Sequence, residues 1–132
     1  MARRKAEPRT DDTERVVERY DRDPLATFIT KVYGLLDIDK QSVITNTVRS
    51  VRGDKVALRG FVTNALTSAT VQNKPMTDIE LGTILFRLLL DREINPSELN
   101  NLVEFLGTHT RTDMVYQMLA SVEWHDKMNR LI

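Results

Sequence analysis

The chain has 132 residues, of which 41% are hydrophobic and 29% charged, proportions that are ordinary for one globular domain with its own core. It contains no cysteine, which excludes disulfides, thiolate metal sites, iron–sulfur clusters and cysteine nucleophiles. No apolar run approaches the ~18 residues that span a bilayer, and no apolar stretch follows the N-terminus as it does in a secretory signal.

The formal net charge of zero hides an uneven distribution of charge along the chain. Residues 1–59 carry 13 basic and 10 acidic side chains, whereas residues 60–132 carry 6 basic and 9 acidic ones. Such an asymmetry favours a polyanion as the partner of the basic half. A solvated helix surface of mixed charge would also account for it, and both interpretations stay open here.

The N-terminal segment is predicted to be a basic arm followed by a short helix. The first ten residues, MARRKAEPRT, have no apolar periodicity. Residues 10–22 begin with a capping threonine and an acidic first turn, which predicts a helix. Its only apolar residues are Val16, Val17 and Tyr20, so this helix needs a partner against which to lie.

Two more helices are predicted between Asp23 and Arg52. Asp23 followed by Pro24 is a helix start. Residues 40–51 have the composition of a strand but keep helical spacing, and we predict a helix because no strand partner lies nearby. Arg52-Gly53-Asp54 is predicted to interrupt the helices. The apolar positions that recur at 3.6-residue spacing in the first of these helices are Leu25, Phe28, Ile29, Val32 and Leu36.

Residues 53–132 are predicted to form a compact up-and-down four-helix bundle that folds on its own. Its helices begin after Gly53, at Thr77 with a capping-box glutamate, at Asn95-Pro96, and at Thr112, the last running to Leu131. The helix that starts at Thr77 is apolar on most of its circumference and should lie centrally. The predicted fold is therefore all-α, with a basic arm and extended helices in residues 1–52 followed by this bundle.

Side chains for catalysis are sparse. His109 and His125 are far apart in the sequence, and nothing local brings a base, a nucleophile and an orienting group together. Closely spaced carboxylates lack the further ligands of a metal site, and there is no glycine-rich phosphate loop. We expect no enzymatic activity, no metal and no cofactor.

Basic side chains of the N-terminal half recur at spacings that would align them on one helical face. These sets are Arg15, Arg19 and Arg22 and, if the helix continues across Gly53, Arg49, Arg52 and Arg59, with Lys55 nearby. Guanidinium groups suit phosphate oxygens, and without a sequence-reading signature the pattern favours nucleic-acid binding without sequence preference. Pairing with acidic neighbours at i, i+4 is the alternative.

The apolar stripes of residues 25–51 are a second indication of function, because the bundle of 79 residues from Asp54 onward already has its own core. Helices that cannot pack on their own bundle commonly bury themselves in another chain. The alternative is that they pack within the same chain, as part of a single larger bundle.

The whole chain resembles the major coat proteins of archaeal filamentous viruses of the lipothrixvirus and rudivirus kind. The resemblance is carried by the total length, the basic arm MARRKAEPRT, the arginine-bearing helices up to about Arg52 and the four-helix bundle from about Asp54. It implies a structural capsid protein that is located in the virion and, during assembly, in the host cytoplasm. Two coat chains, identical or paralogous, would form a dimer whose N-terminal helices wrap linear double-stranded DNA in A-form. The bundles would pack outward into a helical nucleocapsid, which a lipid envelope surrounds in lipothrixviruses.

The resemblance also implies which side chains face the DNA, namely the basic residues of the arm and the N-terminal helices. They are Arg3, Arg4, Lys5, Arg9, Arg15, Arg19, Arg22, Lys31, Lys40, Arg49, Arg52, Lys55 and Arg59. The alternative function is a small helical adaptor or regulator that docks on a protein partner through its N-terminal amphipathic helices.

Overall fold

The computed structural model describes residues 23–132, and this range is all-helical, as predicted, with no strand. The predicted arm and the predicted helix over 10–22 lie outside the described residues. No helix within 23–132 is both long enough and apolar enough to cross a membrane. The helices are α1 (Pro24–Leu35), α2 (Gln41–Val51), α3 (Lys55–Leu66), α4 (Ala69–Gln72), α5 (Asp78–Leu90), α6 (Pro96–Leu106), α7 (Arg111–Leu119) and α8 (Val122–Leu131).

The start of α1 and the helix over residues 40–51 are confirmed. The carboxylate of Asp23 accepts hydrogen bonds from the backbone N–H groups of Leu25 at 3.1 Å and Ala26 at 3.3 Å, which caps α1. Helix α2 ends where Gly53 adopts a left-handed φ of 76°, a conformation that glycine enters without steric penalty. Asp54 then caps α3 by accepting the N–H of Ala57 at 3.0 Å.

The helix does not continue across Gly53, so the single face predicted for Arg49, Arg52 and Arg59 does not exist. Arg49 lies in the last turn of α2, Arg52 in the connection and Arg59 on α3. The left-handed turn at Gly53 changes the chain direction between them. These side chains can share a surface only through the packing of α2 against α3.

Helices α1 and α2 form an antiparallel hairpin. The hydroxyl groups of Tyr33 and Thr47 are hydrogen-bonded to each other, which joins the end of α1 to the middle of α2. At the other end, Arg52 donates to the carboxylate of Asp23, so the residue after α2 is paired with the residue before α1. Together the two contacts fix how the hairpin is aligned.

The apolar stripe of α1 belongs to the same core as the helices of residues 53–132. Leu25, Phe28, Ile29 and Val32 are buried, and the ring of Phe28 lies 5.5 Å from that of Trp124 on α8, centre to centre. The expectation that this stripe stays uncovered within the chain is wrong, because α1 packs against α3 and α5 as well as α2. Packing within one larger bundle, the alternative, is what the structure shows.

Helix α5 is central, as its apolar circumference predicts. Leu81, Leu85 and Leu89 have no solvent exposure, and α5 packs against α1, α6, α7 and α8. Its N-terminus has the predicted capping box, in which Thr77 accepts the N–H of Glu80 and Glu80 accepts that of Thr77. The helix start predicted at Asn95-Pro96 is also present, and it has a capping box of Asn95 and Glu98.

Residues 53–132 are divided into more helices than the four predicted. The expected final helix is two, α7 and α8, because the chain turns at Ala120 and the hydroxyl of Ser121 accepts the N–H of Trp124 as a new cap. Helix α7 is capped by Thr110, which forms a capping box with Asp113, and not by Thr112 as predicted. The extra turn lets α7 and α8 pack separately on α5.

Two basic side chains, Arg111 and Lys127, connect elements that are distant in the sequence by donating hydrogen bonds to their backbone carbonyl groups. Arg111 donates to the carboxylate of Asp78 at 2.8 Å and to the carbonyl groups of Val71 at 2.9 Å and Met76 at 2.6 Å. The ammonium group of Lys127 donates to the carbonyl of Leu88, at 2.7 Å, and lies 5.1 Å from the centre of the Phe28 ring. Lys127 therefore connects α8 with α5 and α1.

Removal of residues 1–52 is therefore expected to unfold the remainder, which reverses the expectation from the sequence. The fragment 53–132 would expose the side of Trp124 that Phe28 covers, together with the surfaces of α3 and α5 that α1 buries. Far-UV circular dichroism and urea unfolding of this fragment would measure the effect. The matched control is the fragment 23–132, which keeps the whole described core and should unfold cooperatively. A cooperative transition of the 53–132 fragment would contradict the expectation.

Candidate nucleic-acid interface

Every basic side chain of residues 60–132 forms an ion pair with a carboxylate of the fold. The charges of this part of the chain are thus used in holding its own helices and turns together. The pairs are Lys74 with Asp37, Arg87 with Glu93, Arg92 with Glu98 and Glu123, Arg111 with Asp78, and both Lys127 and Arg130 with Asp91.

Arg92, between α5 and α6, pairs with two carboxylates at once. Its guanidinium donates to Glu98 at 2.6 Å and to Glu123 at 2.8 Å. The hydrogen bonds from Arg92, with a further one from the backbone of Asn95, hold the pKa of Glu98 at about 2. Hydrogen bonding to Arg92 also lowers the pKa of Glu123. This network ties the start of α6 to the start of α8.

The basic side chains of residues 23–59 are exposed and, with one exception, have no ion pair within the described part of the chain. Arg52 is the exception, through Asp23. Arg49 donates only to the neutral side-chain amide oxygen of Asn46, at 3.3 Å. The charges of the side chains without an ion pair are therefore available to an external anion. The exposed side chains that have no ion pair with another residue of 23–132 are Lys31, Lys40, Arg49, Lys55 and Arg59.

Four basic side chains surround the turn between α2 and α3, and we call them the basic corner: Arg49, Arg52, Lys55 and Arg59. Arg52 is paired with Asp23, and the other three have no ion pair within residues 23–132. Lys55 and Arg59 are four residues apart on α3, so they lie on one face of that helix. Asp54, the acidic residue within this turn, is engaged in capping α3. The corner therefore carries four cations against the two carboxylates of Asp23 and Asp54, an excess of positive charge.

The remaining two predicted side chains of the described range lie away from the basic corner. Lys40 precedes α2 at the end opposite Arg52, and a helix of this length separates its ends by about 16 Å. Lys31 is exposed in the middle of α1. The structure thus brings together part of the predicted set, not all of it.

The basic corner also marks the place where residues 1–22 join the fold. Asp23 is the first described residue, and its carboxylate is held by Arg52. Seven predicted DNA-facing residues precede it in the chain and lie outside the described residues. They are Arg3, Arg4, Lys5, Arg9, Arg15, Arg19 and Arg22.

Two surface features were not singled out from the sequence. Val56 is 72% exposed between Lys55 and Arg59, so it places an apolar group on the basic corner. A groove with a volume of about 340 Å³ is formed by α5, α6, α7 and the start of α8. Its apolar residues have the same helical spacing as core residues, so nothing in the sequence distinguishes them from the core.

The two histidines are exposed and bonded within their own helical segments. His109 stacks on Phe105 with 4.0 Å between ring centres, and its Nδ1 lies 3.0 Å from the carbonyl oxygen of Phe105. Nδ1 of His125 lies 2.8 Å from the carbonyl oxygen of Ser121. Across residues 23–132, no group of three or more histidine, aspartate and glutamate side chains is placed to hold a metal ion.

No protein-family model, curated protein or solved structure matches this chain. Information on its function comes from the distribution of its charges and apolar surfaces.

Replacing Glu98 by glutamine is expected to lower the free energy of unfolding by about 1 kcal/mol at pH 7, since the ion pair with Arg92 is partly exposed. The pKa of Glu98 is about 2 in the folded chain, against an ordinary value of 4.5. The charge of Glu98 therefore stabilises the folded chain fully above about pH 4.5, and this stabilisation is lost as the pH falls towards 2. Glutamine keeps the acceptor for the N–H of Asn95, so the variant isolates the charge.

Urea unfolding of the native chain and the Glu98→Gln variant from pH 7 down to pH 3 would measure this contribution. The difference between the two proteins should shrink steadily below pH 4.5. A difference that stays constant over the whole range would show that the charge of Glu98 is not its source.

Proposed function

We propose that this chain is a structural protein that binds double-stranded DNA without sequence specificity and assembles into a helical nucleocapsid, as a coat protein of a filamentous virus. The observation that carries the proposal is the contrast between the two parts of the chain. All six cations of residues 60–132 are paired with carboxylates of the fold, whereas Lys31, Lys40, Arg49, Lys55 and Arg59 are exposed and have no ion pair among residues 23–132. Exposed cations can replace the counterions of DNA phosphates.

The position of Asp23 supports a joint role for the basic corner and the N-terminal segment. Because Arg52 holds Asp23, the segment that carries the seven basic residues of positions 1–22 joins the described fold at the corner. Both can therefore approach the same duplex. Contacts to phosphates require only reach, not the geometry of base edges, which suits binding without sequence preference.

The fold alters how such a coat would be built. Helices α1 and α2 share a core with the rest of the chain, so they would present cations from a globular unit. Only residues 1–22 would then extend away from that unit along the DNA. A second coat chain, identical or paralogous, would be the protein partner, and a lipid envelope could enclose the assembly.

The role is structural and requires no metal or cofactor. Chains that cover the duplex exclude water from it, and dehydration favours A-form geometry. Circular dichroism or fibre diffraction of the assembled particle should therefore give the signature of A-form DNA. A B-form signature would contradict this part of the proposal.

The alternative of a small adaptor or regulator that docks through its N-terminal amphipathic helices is less favoured. The apolar stripe of α1, which such an adaptor would offer, is buried in the core of the chain itself, with Ile29 and Val32 wholly inaccessible. Binding to a protein partner through apolar contacts would depend little on salt. The salt dependence of binding therefore separates the two functions.

The test is the affinity of the full chain for a duplex of random sequence at several salt concentrations. The variant Lys55→Gln/Arg59→Gln should reduce the log–log salt slope by about 1.8, at roughly 0.9 for each lost phosphate contact. The matched control is Arg87→Gln/Arg130→Gln, which also removes two exposed cations, but ones that are paired within the fold. The control should keep the slope of the native chain. Equal slopes for all three proteins, or no DNA binding at low salt, would overturn the proposal.

A further inference from the structure

The contact between Arg52 and Asp23 distinguishes Arg52 from the other cations of the basic corner. The guanidinium group of Arg52 donates to one carboxylate oxygen of Asp23, although half of the Arg52 side chain is exposed to solvent. Arg49, Lys55 and Arg59 have no ion pair with another residue of 23–132. A DNA phosphate that reaches the corner therefore meets three cations without such a partner and one that already has an anionic partner.

The two oxygens of the Asp23 carboxylate have different partners. Oδ1 accepts the backbone N–H groups of Leu25 at 3.1 Å and Ala26 at 3.3 Å, whereas Oδ2 accepts the hydrogen bond from Arg52. Capping of α1 therefore fixes the carboxylate in the orientation in which it receives the guanidinium group. An acceptor that is already held in place loses little conformational freedom when the ion pair forms, which favours the pair.

The backbone of Arg52 is held in place as well. Its N–H donates to the carbonyl of Val48 at 3.0 Å, at the end of α2. A phosphate that took Arg52 would have to displace a carboxylate that cannot move away without uncapping α1. The displaced carboxylate of Asp23 would then remain beside the phosphate as an unpaired like charge, and the repulsion between the two opposes the exchange.

We propose that Asp23 is an autoinhibitory residue of the basic corner: it withholds Arg52 from DNA phosphates and so limits how many phosphates the corner binds. This inference rests on the proposed function and assigns a regulatory contact within the site that would bind DNA. Arg49, Lys55 and Arg59 bind phosphates, whereas Arg52 aligns α1 with α2. Removal of the Asp23 charge would add a fourth phosphate contact to the corner.

The test compares two substitutions that each remove one carboxylate charge from the basic corner. Asp23→Asn keeps an oxygen that can cap α1, because asparagine caps helices as well as aspartate does, but it removes the charge that holds Arg52. The matched control is Asp54→Asn. Asp54 caps α3 through the N–H of Ala57 at 3.0 Å and has no ion pair within residues 23–132. Only Asp23→Asn therefore releases a cation.

The affinity of each full-length protein for a duplex too short for two chains is measured at several salt concentrations. Asp23→Asn should steepen the log–log salt slope by about 0.9, the value of one added phosphate contact, whereas Asp54→Asn should keep the slope of the native chain. The double variant Asp23→Asn/Arg52→Gln should return to the native slope, because the released cation is then absent. An unchanged slope for Asp23→Asn, equal steepening by Asp54→Asn, or a double variant that stays steep would each overturn the proposal.

A second variant guards against an effect of Asp23→Asn on the fold. Asp23→Ser also provides a helix cap but has no second oxygen for Arg52, so it should steepen the slope by the same amount. A native slope for Asp23→Ser would overturn the proposal. DNA binding by the native chain with equal slopes for all variants would overturn this inference alone, whereas no binding by the native chain at low salt would overturn the proposed function and this inference with it.

Discussion

The packing of α1 across α8 and α5 is the interaction on which the rest of the structure depends. Phe28 covers Trp124, which is wholly buried, and Lys127 joins the same place through the Phe28 ring and the carbonyl of Leu88. The indole N–H of Trp124 has no hydrogen-bond partner among residues 23–132. A buried donor without a partner costs about 1–3 kcal/mol, so the apolar contacts of Trp124 must offset that loss. The N-terminal helices are therefore part of the core and not an appendage to it.

This packing also decides where the free positive charges lie. Once α1 is fixed on the core, the Tyr33–Thr47 and Asp23–Arg52 contacts align α2 with it, and the turn at Gly53 brings α3 beside both. The basic corner is the surface that results. The cations of residues 60–132 are used in ion pairs, whereas among those of residues 23–59 only Arg52 has an ion pair within the described residues.

The basic corner and the groove lie on different helices. The corner belongs to the turn between α2 and α3, whereas α5 to α8 form the groove.

Local features of the fold could be predicted from the sequence because they depend on residues only a few positions apart. The caps at Asp23, Thr77 and Asn95 are of this kind, and so is the amphipathic stripe of α1. The basic composition of the N-terminal half was also evident, but its division into a corner and two separate lysines was not. What covers the stripe of α1, which arginines are neutralised and where the groove opens were decided only by tertiary structure. Those features depend largely on contacts between residues about thirty or more positions apart, such as Arg92 with Glu123 and Arg111 with Asp78, and the packing of the helices determines which distant residues meet.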